Sequence, residues 1–123
     1  MPDVSTIILY VRDPQVSMRF YATLLGHPPL ESSPNFAMLP LGGNMMLGLW
    51  ASHDVAPAPS TLCGSGELAI VVANRESVLT AHREWVGRGI PIIQEPVEMD
   101  FGFTYTGLDP DGNRLRVMAL SVP

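Results

Sequence analysis

The alternation of hydrophobic and polar positions in the first half of the chain predicts a strand, a helix and three shorter strands. The run Ser5–Val11 is apolar and rich in β-branched residues, which favours a buried strand. Asp13 and Pro14 then supply a helix cap and a first helical residue, and apolar residues recur at helical spacing until Gly26. Three further strands are predicted at Leu30–Ser33, Phe36–Leu41 and Met45–Trp50.

The second half of the chain repeats this order of elements after a linker. Residues 52–65 are rich in proline, serine and glycine with little apolar pattern, which is typical of a linker. A strand is predicted at Glu67–Val72, followed by a helix that Asn74 caps and Gly87 closes. Three more strands are predicted at Ile92–Val97, Gly102–Leu108 and Arg114–Leu120.

The two halves therefore read as one unit used twice. A shift of 61 residues places Val11 on Val72, Asp13 on Asn74 and Gly26 on Gly87. Near the module ends a shift of 69 residues places Gly43-Asn44 on Gly112-Asn113. We predict an α+β fold with two tandem βαβββ modules, at about residues 4–51 and about residues 66–121. A length of 123 residues suits a single domain.

Composition and charge narrow the class of protein and its partners. The chain is 46% hydrophobic and 15% charged, which argues against disorder. Its net charge of −5 argues against a nucleic-acid partner, because backbone binding needs clustered lysines and arginines. No apolar run approaches the ~20 residues of a membrane span, and no signal-peptide pattern opens the sequence. With Cys63 as the single cysteine, we expect a cytoplasmic protein with no membrane partner.

Segments near the two ends of the chain resemble the signatures of a known family. The opening signature of the vicinal oxygen chelate superfamily is similar to Val11-Arg12-Asp13, Phe20-Tyr21 and Leu24-Leu25-Gly26. Its closing signature is similar to Asp109-Pro110-Asp111-Gly112-Asn113 before a final apolar strand. This superfamily includes glyoxalase I, extradiol dioxygenases, fosfomycin-resistance enzymes, methylmalonyl-CoA epimerase and metal-free bleomycin-binding proteins. The resemblance implies an incompletely closed barrel around a cavity, often completed in a homodimer, but such a fold hosts several chemistries.

The resemblance also carries the family's metal-ligand positions onto this chain. They fall on Thr6, Leu47, Glu67 and Arg116, where the family's enzymes usually have two histidines and two glutamates or glutamines. Leu47 has no donor atom, Arg116 is a permanent cation, and the hydroxyl of Thr6 is a poor ligand. Glu67 alone does not build a divalent metal site. We therefore expect no bound metal and no other cofactor.

Strand alternation predicts the ligand-binding residues of the cavity. Thr6 and Tyr10 share a face of the first strand, and Leu47, Glu67 and Arg116 are placed on the matching faces of theirs. Aromatic residues extend this wall, with Phe101, Phe103 and Tyr105 near the last hairpin and Trp50 at the end of the fourth strand. These rings fit either a stacking wall for a planar ligand or a core or dimer interface. The pair of Glu67 and Arg116 fits either a structural ion pair or a pair that orients a ligand.

Two functions follow from a mostly apolar cavity that holds one carboxylate and one or two guanidinium groups. The first is a metal-free homodimeric protein that binds a small, partly aromatic organic ligand, as the bleomycin-resistance proteins do. The second is a metal-independent or atypical glyoxalase-like lyase or isomerase. In that enzyme the catalytic residues are Glu67, as general base, and Arg116, which holds an oxyanion or carboxylate. A metal-dependent enzyme with unusual ligands is a third, less favoured reading.

Overall fold

Eight strands, two α-helices and a short 3-10 helix at Ser52–Asp54 are the regular elements of the chain that the computed structural model describes, residues 6–59 and 63–121. The first half contains β1 Thr6–Val11, α1 Pro14–Leu25, β2 Glu31–Ser32, β3 Phe36–Gly42 and β4 Met45–Ala51. The second half contains β5 Glu67–Val71, α2 Arg75–Gly87, β6 Ile92–Met99, β7 Gly102–Leu108 and β8 Arg114–Leu120. Residue contacts divide the chain into two units, with the boundary between Gly64 and Ser65.

In the first unit, α1 covers one face of a four-stranded sheet. The strand order is β1-β4-β3-β2, with β1 parallel to β4 and the other neighbours antiparallel. Alternate residues of β3 and β4 are fully buried on the helix side, including Leu39, Leu47 and Leu49. Tyr21 of α1 is also fully buried. The core of this unit therefore lies between the helix and the sheet.

The second unit repeats this arrangement with α2 on a sheet of order β5-β8-β7-β6. Here β5 is parallel to β8, and the remaining neighbours are antiparallel. Val78 and Trp85 of α2 are buried against the sheet, together with Tyr105, Leu115 and Val117. The helix leaves the other face of the sheet open, and that face carries Glu67 and Arg116.

The helix ends show how local sequence sets the boundaries of both modules. The side chains of Asp13 and Asn74 each accept a backbone hydrogen bond of 2.9 Å from the first helical turn. Gly26 follows α1 with a φ of 73°, a left-handed conformation that glycine adopts without steric cost. Helix α2 ends at Gly87 as predicted, but the left-handed residue there is Gly89, with a φ of 76°.

The turn between β7 and β8 is organised by the buried carboxylate of Asp109. Its Oδ1 accepts hydrogen bonds of 2.8 Å from the backbone N–H groups of Asp111 and Asn113. Its Oδ2 accepts one of 2.9 Å from the side-chain amide of Asn113. The amide oxygen of Asn113 in turn accepts a hydrogen bond of 2.9 Å from Gly66 N–H. The turn therefore fixes the residue before β5 and, with it, the position of Glu67.

The predicted α+β fold with two βαβββ modules is confirmed, and each sheet is open rather than closed on itself. The main differences are in strand length, since β2 has two residues and β6 continues to Met99. The predicted start at Ser5, and residues 60–62 of the predicted linker, lie outside the described residues. The single-domain organisation stays a prediction. None of the described helices is long and apolar enough to cross a membrane.

Candidate functional site

The open face of the second sheet carries both charged residues that the sequence singled out. Residues paired across neighbouring strands point to the same face of a sheet. Glu67 pairs with Arg114, and Ala69 pairs with Arg116. Arg116 also pairs with Thr106 of β7. Glu67, Arg116 and Thr106 are therefore neighbours on one surface, opposite α2.

A pocket of about 420 Å³ lies on this open face. Its lining is largely apolar with one pair of charges, and it consists of Glu67, Ala69, Phe101, Arg116, Met118 and Leu120. The guanidinium carbon of Arg116 lies 5.8 Å from the centre of the Phe101 ring, within range of a cation–π contact. Apolar walls with a few placed polar groups are typical of small-molecule sites, whose volumes run from about 300 to 1,000 Å³.

The guanidinium of Arg116 is held along one side by the sheet. Its Nη1 donates a hydrogen bond of 3.0 Å to Gln94 Oε1 and lies 3.5 Å from Thr104 Oγ1. Its Nε donates to Glu67 Oε2 over 3.4 Å. Within the described part of the chain, Nη2 donates to no residue. Both N–H groups of Nη2 are thus available to a ligand, although the side chain is only 15% exposed.

Gln94 orients this guanidinium and was not predicted from the sequence. Its Oε1 accepts a second hydrogen bond of 3.0 Å from the buried Thr106 hydroxyl. Two donors thus converge on the oxygen, which keeps the amide oxygen toward Arg116 and the amide nitrogen away from it. The pairing of β6 with β7 shifts register on both sides of Gln94, so simple alternation along β6 does not predict its face.

Glu67 makes a loose contact with Arg116. The 3.4 Å separation between Glu67 Oε2 and Arg116 Nε exceeds the ~2.7–2.9 Å of a strong charge-assisted hydrogen bond. The Glu67 side chain is 41% exposed. Among the described residues, no donor reaches its second oxygen, Oε1. The ion pair is therefore accessible to solvent at the rim of the pocket.

The open face of the first sheet is mainly apolar. Its strand pairs are Thr6 with Met46, Ile8 with Gly48 and Tyr10 with Trp50. The rings of Tyr10 and Trp50 meet edge to face with their centroids 6.4 Å apart. Trp50 Nε1 donates a 3.0 Å hydrogen bond to Asp54 Oδ2 just beyond β4. Three of the predicted ligand-binding residues, Thr6, Tyr10 and Trp50, are thus together on this face.

The predicted placement of Leu47 on this open face is wrong. Leu47 pairs with Ile7, is fully buried, and lies on the face that α1 covers. The position equivalent to Arg116 is Gly48, because the Ile8–Gly48 pair corresponds to the Ala69–Arg116 pair. A misjudged shift of one residue transfers a side chain to the opposite face of a strand.

Gly48 leaves room for the side chains that cross it. A Cβ atom at this position would lie 3.2 Å from Ile8 Cγ1 and 3.2 Å from Phe36 Cζ. Such distances are tighter than ordinary van der Waals contact. The missing side chain therefore lets Ile8 and Phe36 approach each other over the strand.

The predicted placement of Phe103 and Tyr105 in the ligand cavity is also wrong. They pair with Ala119 and Val117, on the face that α2 covers. The guanidinium carbon of Arg75, in the first turn of α2, lies 3.8 Å from the centre of the Phe103 ring. Burial under a helix therefore keeps both rings from a ligand on the open face.

Tyr105 is a fully buried core residue. Its ring packs edge to face against Trp85 and His82 of α2, with centroid distances of 5.1 Å and 5.2 Å. Its hydroxyl has no hydrogen-bond partner among the described residues. Burial raises the pKa of Tyr105 above its ordinary value, and the negative charge of Glu84 adds to the effect.

The aromatic ring that does line the pocket is Phe101, two residues before Phe103. The two rings lie on opposite sides because the backbone turns at Gly102, whose φ is 150°. A Cβ atom there would come within 2.1 Å of the Ala119 carbonyl oxygen, so a side chain does not fit. Glycine at the start of a strand was the available signal that alternation breaks at this point.

The residues at the family's metal positions do not fit a divalent metal ion. In the first unit these positions are Thr6 and Gly48, which offer a single hydroxyl. In the second unit they are Glu67 and Arg116, where the carboxylate lies against a permanent cation. Within residues 6–59 and 63–121, no three His, Cys, Asp or Glu side chains are grouped to hold a metal ion.

Comparisons with known proteins agree with the two-module fold. The family model of the Glyoxalase/Bleomycin resistance protein/Dioxygenase superfamily matches residues 4–117. The phenazine antibiotic resistance protein EhpR of Enterobacter agglomerans is 28% identical over 118 residues, which cover 92% of this chain and 88% of that protein.

Solved structures show the same fold. The solution NMR structure of protein ATC0852 from Agrobacterium tumefaciens is 43% identical with a TM-score of 0.89, covering 99% of this chain and 100% of that chain. A crystal structure of a glyoxalase/bleomycin resistance protein/dioxygenase from Nocardioides is 22% identical with a TM-score of 0.81. That match covers 98% of this chain and 84% of the other, and it supports the fold alone.

Proposed function

Since this chain belongs to the glyoxalase/bleomycin resistance protein/dioxygenase superfamily, we propose that it binds small, planar, anionic organic molecules without a metal ion. The observation that carries this proposal is the largely buried guanidinium of Arg116, whose Nη2 donates to none of the described residues. A charge that is withdrawn from water gains most from a charged partner with matching hydrogen-bond geometry. A ligand carboxylate would supply that partner at the pocket wall.

The remaining walls favour a flat and partly aromatic ligand. Phe101 offers a ring face, and Ala69, Met118 and Leu120 offer aliphatic surface around the guanidinium. Methionine side chains adapt their shape to varied ligands. These residues support hydrophobic contact with the body of a ligand, while Arg116 orients its anionic end.

The relative from Enterobacter agglomerans suggests a ligand class, because its name describes it as a phenazine antibiotic resistance protein. A phenazine is a flat system of three fused rings, and a carboxylated phenazine combines this ring system with an anion. We extend that class to this chain as part of the proposal. The protein would then act by sequestering the molecule unchanged.

Calorimetric titration with phenazine-1-carboxylate and phenazine-1-carboxamide tests the proposal. We expect the carboxylate to bind, and Arg116→Gln to weaken its binding by at least about tenfold, because charge-assisted hydrogen bonds are lost. Arg75→Gln is the matched control, since Arg75 lies against Phe103 on the α2 side of the sheet. Equal binding by wild type and the Arg116→Gln variant would contradict the role of Arg116.

Metal independence is tested separately with the same probe. We expect dialysis against a chelator, followed by metal analysis, to leave the affinity for phenazine-1-carboxylate unchanged. Added Zn²⁺, Ni²⁺, Mn²⁺ or Mg²⁺ should likewise leave it unchanged, because the residues at the family's metal positions lack a suitable donor set. A metal requirement for binding would show that other residues supply ligands.

A second candidate function is a metal-independent lyase or isomerase that uses Glu67 as general base and Arg116 to hold an oxyanion. It is favoured by one observation, that both groups line the same pocket. Glu67→Gln should then abolish turnover of a carbonyl substrate while binding is kept. Recovery of unmodified ligand after long incubation with wild type would instead support sequestration.

The proposal also includes a cytoplasmic homodimer without a nucleic-acid partner. Large apolar side chains are exposed in each unit, among them Ile8, Tyr10, Val71 and Leu120. A second copy that covers such side chains would gain hydrophobic burial. Light scattering coupled to size exclusion measures the oligomeric state, and a monomer at micromolar concentration would contradict this part. Cell fractionation tests the cytoplasmic location, and a titration with duplex DNA tests the lack of a nucleic-acid partner.

A further inference from the structure

We propose that Glu67 is an internal competitor of the anionic ligand, because its carboxylate occupies a guanidinium donor of Arg116 that the ligand would use. The inference rests on the proposed function and adds a determinant of specificity to it. Glu67 leaves the guanidinium when an anion binds and stays against it when the ligand is neutral.

The fixed side of Arg116 determines which donors remain for a ligand. Gln94 accepts from Nη1 at 3.0 Å, and Thr104 Oγ1 lies 3.5 Å from the same nitrogen. Both residues are on strands of the sheet, and Gln94 is itself held by the Thr106 hydroxyl. The guanidinium therefore offers its other edge, Nε with Nη2, to the pocket.

A carboxylate binds an arginine best with two parallel hydrogen bonds, and the edge formed by Nε and Nη2 provides such a pair. Glu67 Oε2 already accepts from Nε, while Nη2 has no acceptor among the described residues. An incoming carboxylate therefore obtains the parallel pair of hydrogen bonds from Nε and Nη2 only if Glu67 leaves Nε. The carboxylates of Glu67 and of the ligand would also repel each other if both lay against the guanidinium, so they compete for the same cation.

The position of Glu67 allows it to leave at little cost. Its contact with Nε is long at 3.4 Å, and its side chain is 41% exposed. A long contact to a partly exposed carboxylate contributes little to stability, because water competes for the Glu67 oxygens. Glu67 is also the first residue of β5, an edge strand, where the side chain has solvent on its outer side. The contact is thus readily exchanged for a ligand.

Titrating phenazine-1-carboxylate and phenazine-1-carboxamide against Glu67 variants tests this competition. The probes share one ring system and differ in charge. We expect Glu67→Gln to raise the carboxylate affinity by about fivefold, which corresponds to about 1 kcal/mol, and to change the carboxamide affinity by less than about twofold. Glu98→Gln is the matched control, because it removes the same charge from an ion pair with Arg75 on the α2 side.

Glu67→Asp separates contact from general repulsion between charges. It keeps the negative charge but shortens the side chain by one methylene, which lengthens an already long contact with Nε. If direct competition operates, this variant also gains carboxylate affinity, and we expect a gain of about twofold or more. Thermal melting of each variant confirms that the fold is intact.

Each result of this series decides the inference. A carboxylate-selective gain in both Glu67 variants supports it. Four other results would overturn it while leaving the proposed function standing. They are a gain in Glu67→Gln alone, an equal gain for both probes, an equal gain in Glu98→Gln, and no gain in carboxylate affinity. Failure of both probes to bind any variant would overturn the proposed function and the inference together.

Discussion

Gln94 Oε1 and Arg116 Nη1 are joined by a 3.0 Å hydrogen bond across the open face of the second sheet. The same oxygen accepts from the buried hydroxyl of Thr106, also over 3.0 Å. One amide oxygen thus serves two donors from two strands. The orientation of the Arg116 guanidinium is therefore fixed by residues of the neighbouring strands.

Replacing Gln94 with leucine should therefore affect both stability and ligand orientation. Without the acceptor, the buried donor of Thr106 is unsatisfied, at a cost of about 1–3 kcal/mol in the free energy of unfolding. Urea denaturation measures this loss. The affinity for phenazine-1-carboxylate should fall more than that for its carboxamide. Gln15→Leu is the control, because Gln15 bonds exposed groups of the first unit, and it should cost less than about 1 kcal/mol.

Tyr105→Phe should leave the protein as stable as wild type or make it more stable. The ring is fully buried and its hydroxyl has no acceptor among the described residues. Removing an unsatisfied buried hydroxyl while keeping the ring removes a desolvation cost of about 1–3 kcal/mol. Thermal and urea unfolding at neutral pH measure the change. A clear loss of stability would mean that this hydroxyl has a partner in solution.

The same residue should make stability depend on pH in the alkaline range. Burial, with Glu84 as the lesser cause, raises the pKa of Tyr105 in the folded state above the ordinary value of about 10. Between the pKa of Tyr105 in the unfolded chain and its pKa in the folded state, the unfolded chain loses a proton that the folded chain keeps. The free energy of unfolding therefore falls as pH rises above about 10. The slope is at most about 1.4 kcal/mol per pH unit, and Tyr105→Phe should lack this contribution. Urea unfolding from about pH 8 to about pH 11 compares the two proteins.

Alanine substitutions at Leu47 and Met46 should separate the two faces of β4. Leu47 is fully buried under α1, so Leu47→Ala should cost about 2–5 kcal/mol of unfolding free energy. Met46 is half-buried on the open face beside Thr6, and Met46→Ala should cost clearly less. Equal losses in urea unfolding would contradict the register of β1 with β4.

Asp109→Ala should destabilise the second unit strongly. Its buried carboxylate accepts three hydrogen bonds within the turn, all of 2.8–2.9 Å. Their loss leaves backbone donors unsatisfied, at a cost of about 3 kcal/mol or more. The control is Asp100→Ala in the exposed turn between β6 and β7, which should cost less than about 0.5 kcal/mol. Comparable effects in urea unfolding would count against a structural role for Asp109.

Local sequence signals were sufficient to predict the elements of this fold. Asp13, Asn74 and Gly26 act at the helix ends because their effects are confined to a single turn of chain. The repeat then indicated the same order of elements along the chain in both modules. Glu67 and Arg116 were singled out from the family's ligand positions, and regular pairing between β5 and β8 brings them onto one face.

The predictions that failed depended on register between strands, which local pattern does not determine. Turn lengths differ between the modules, so Leu47 was taken for the position that Gly48 holds. Gly102 breaks alternation between Phe101 and Phe103, and register shifts flank Gln94. In each case an irregular backbone position decides which face a side chain reaches.

Gly48 makes the two modules chemically different at equivalent positions, because the second module has Arg116 there. The second copy has a charged side chain at this position, and the first has bare backbone beneath Ile8 and Phe36. Substitutions on the second sheet should therefore alter which charges a ligand can carry. Substitutions on the first sheet should alter the shape and hydrophobicity of its open face. The two copies of the module therefore share a fold but differ in the chemistry of their open faces.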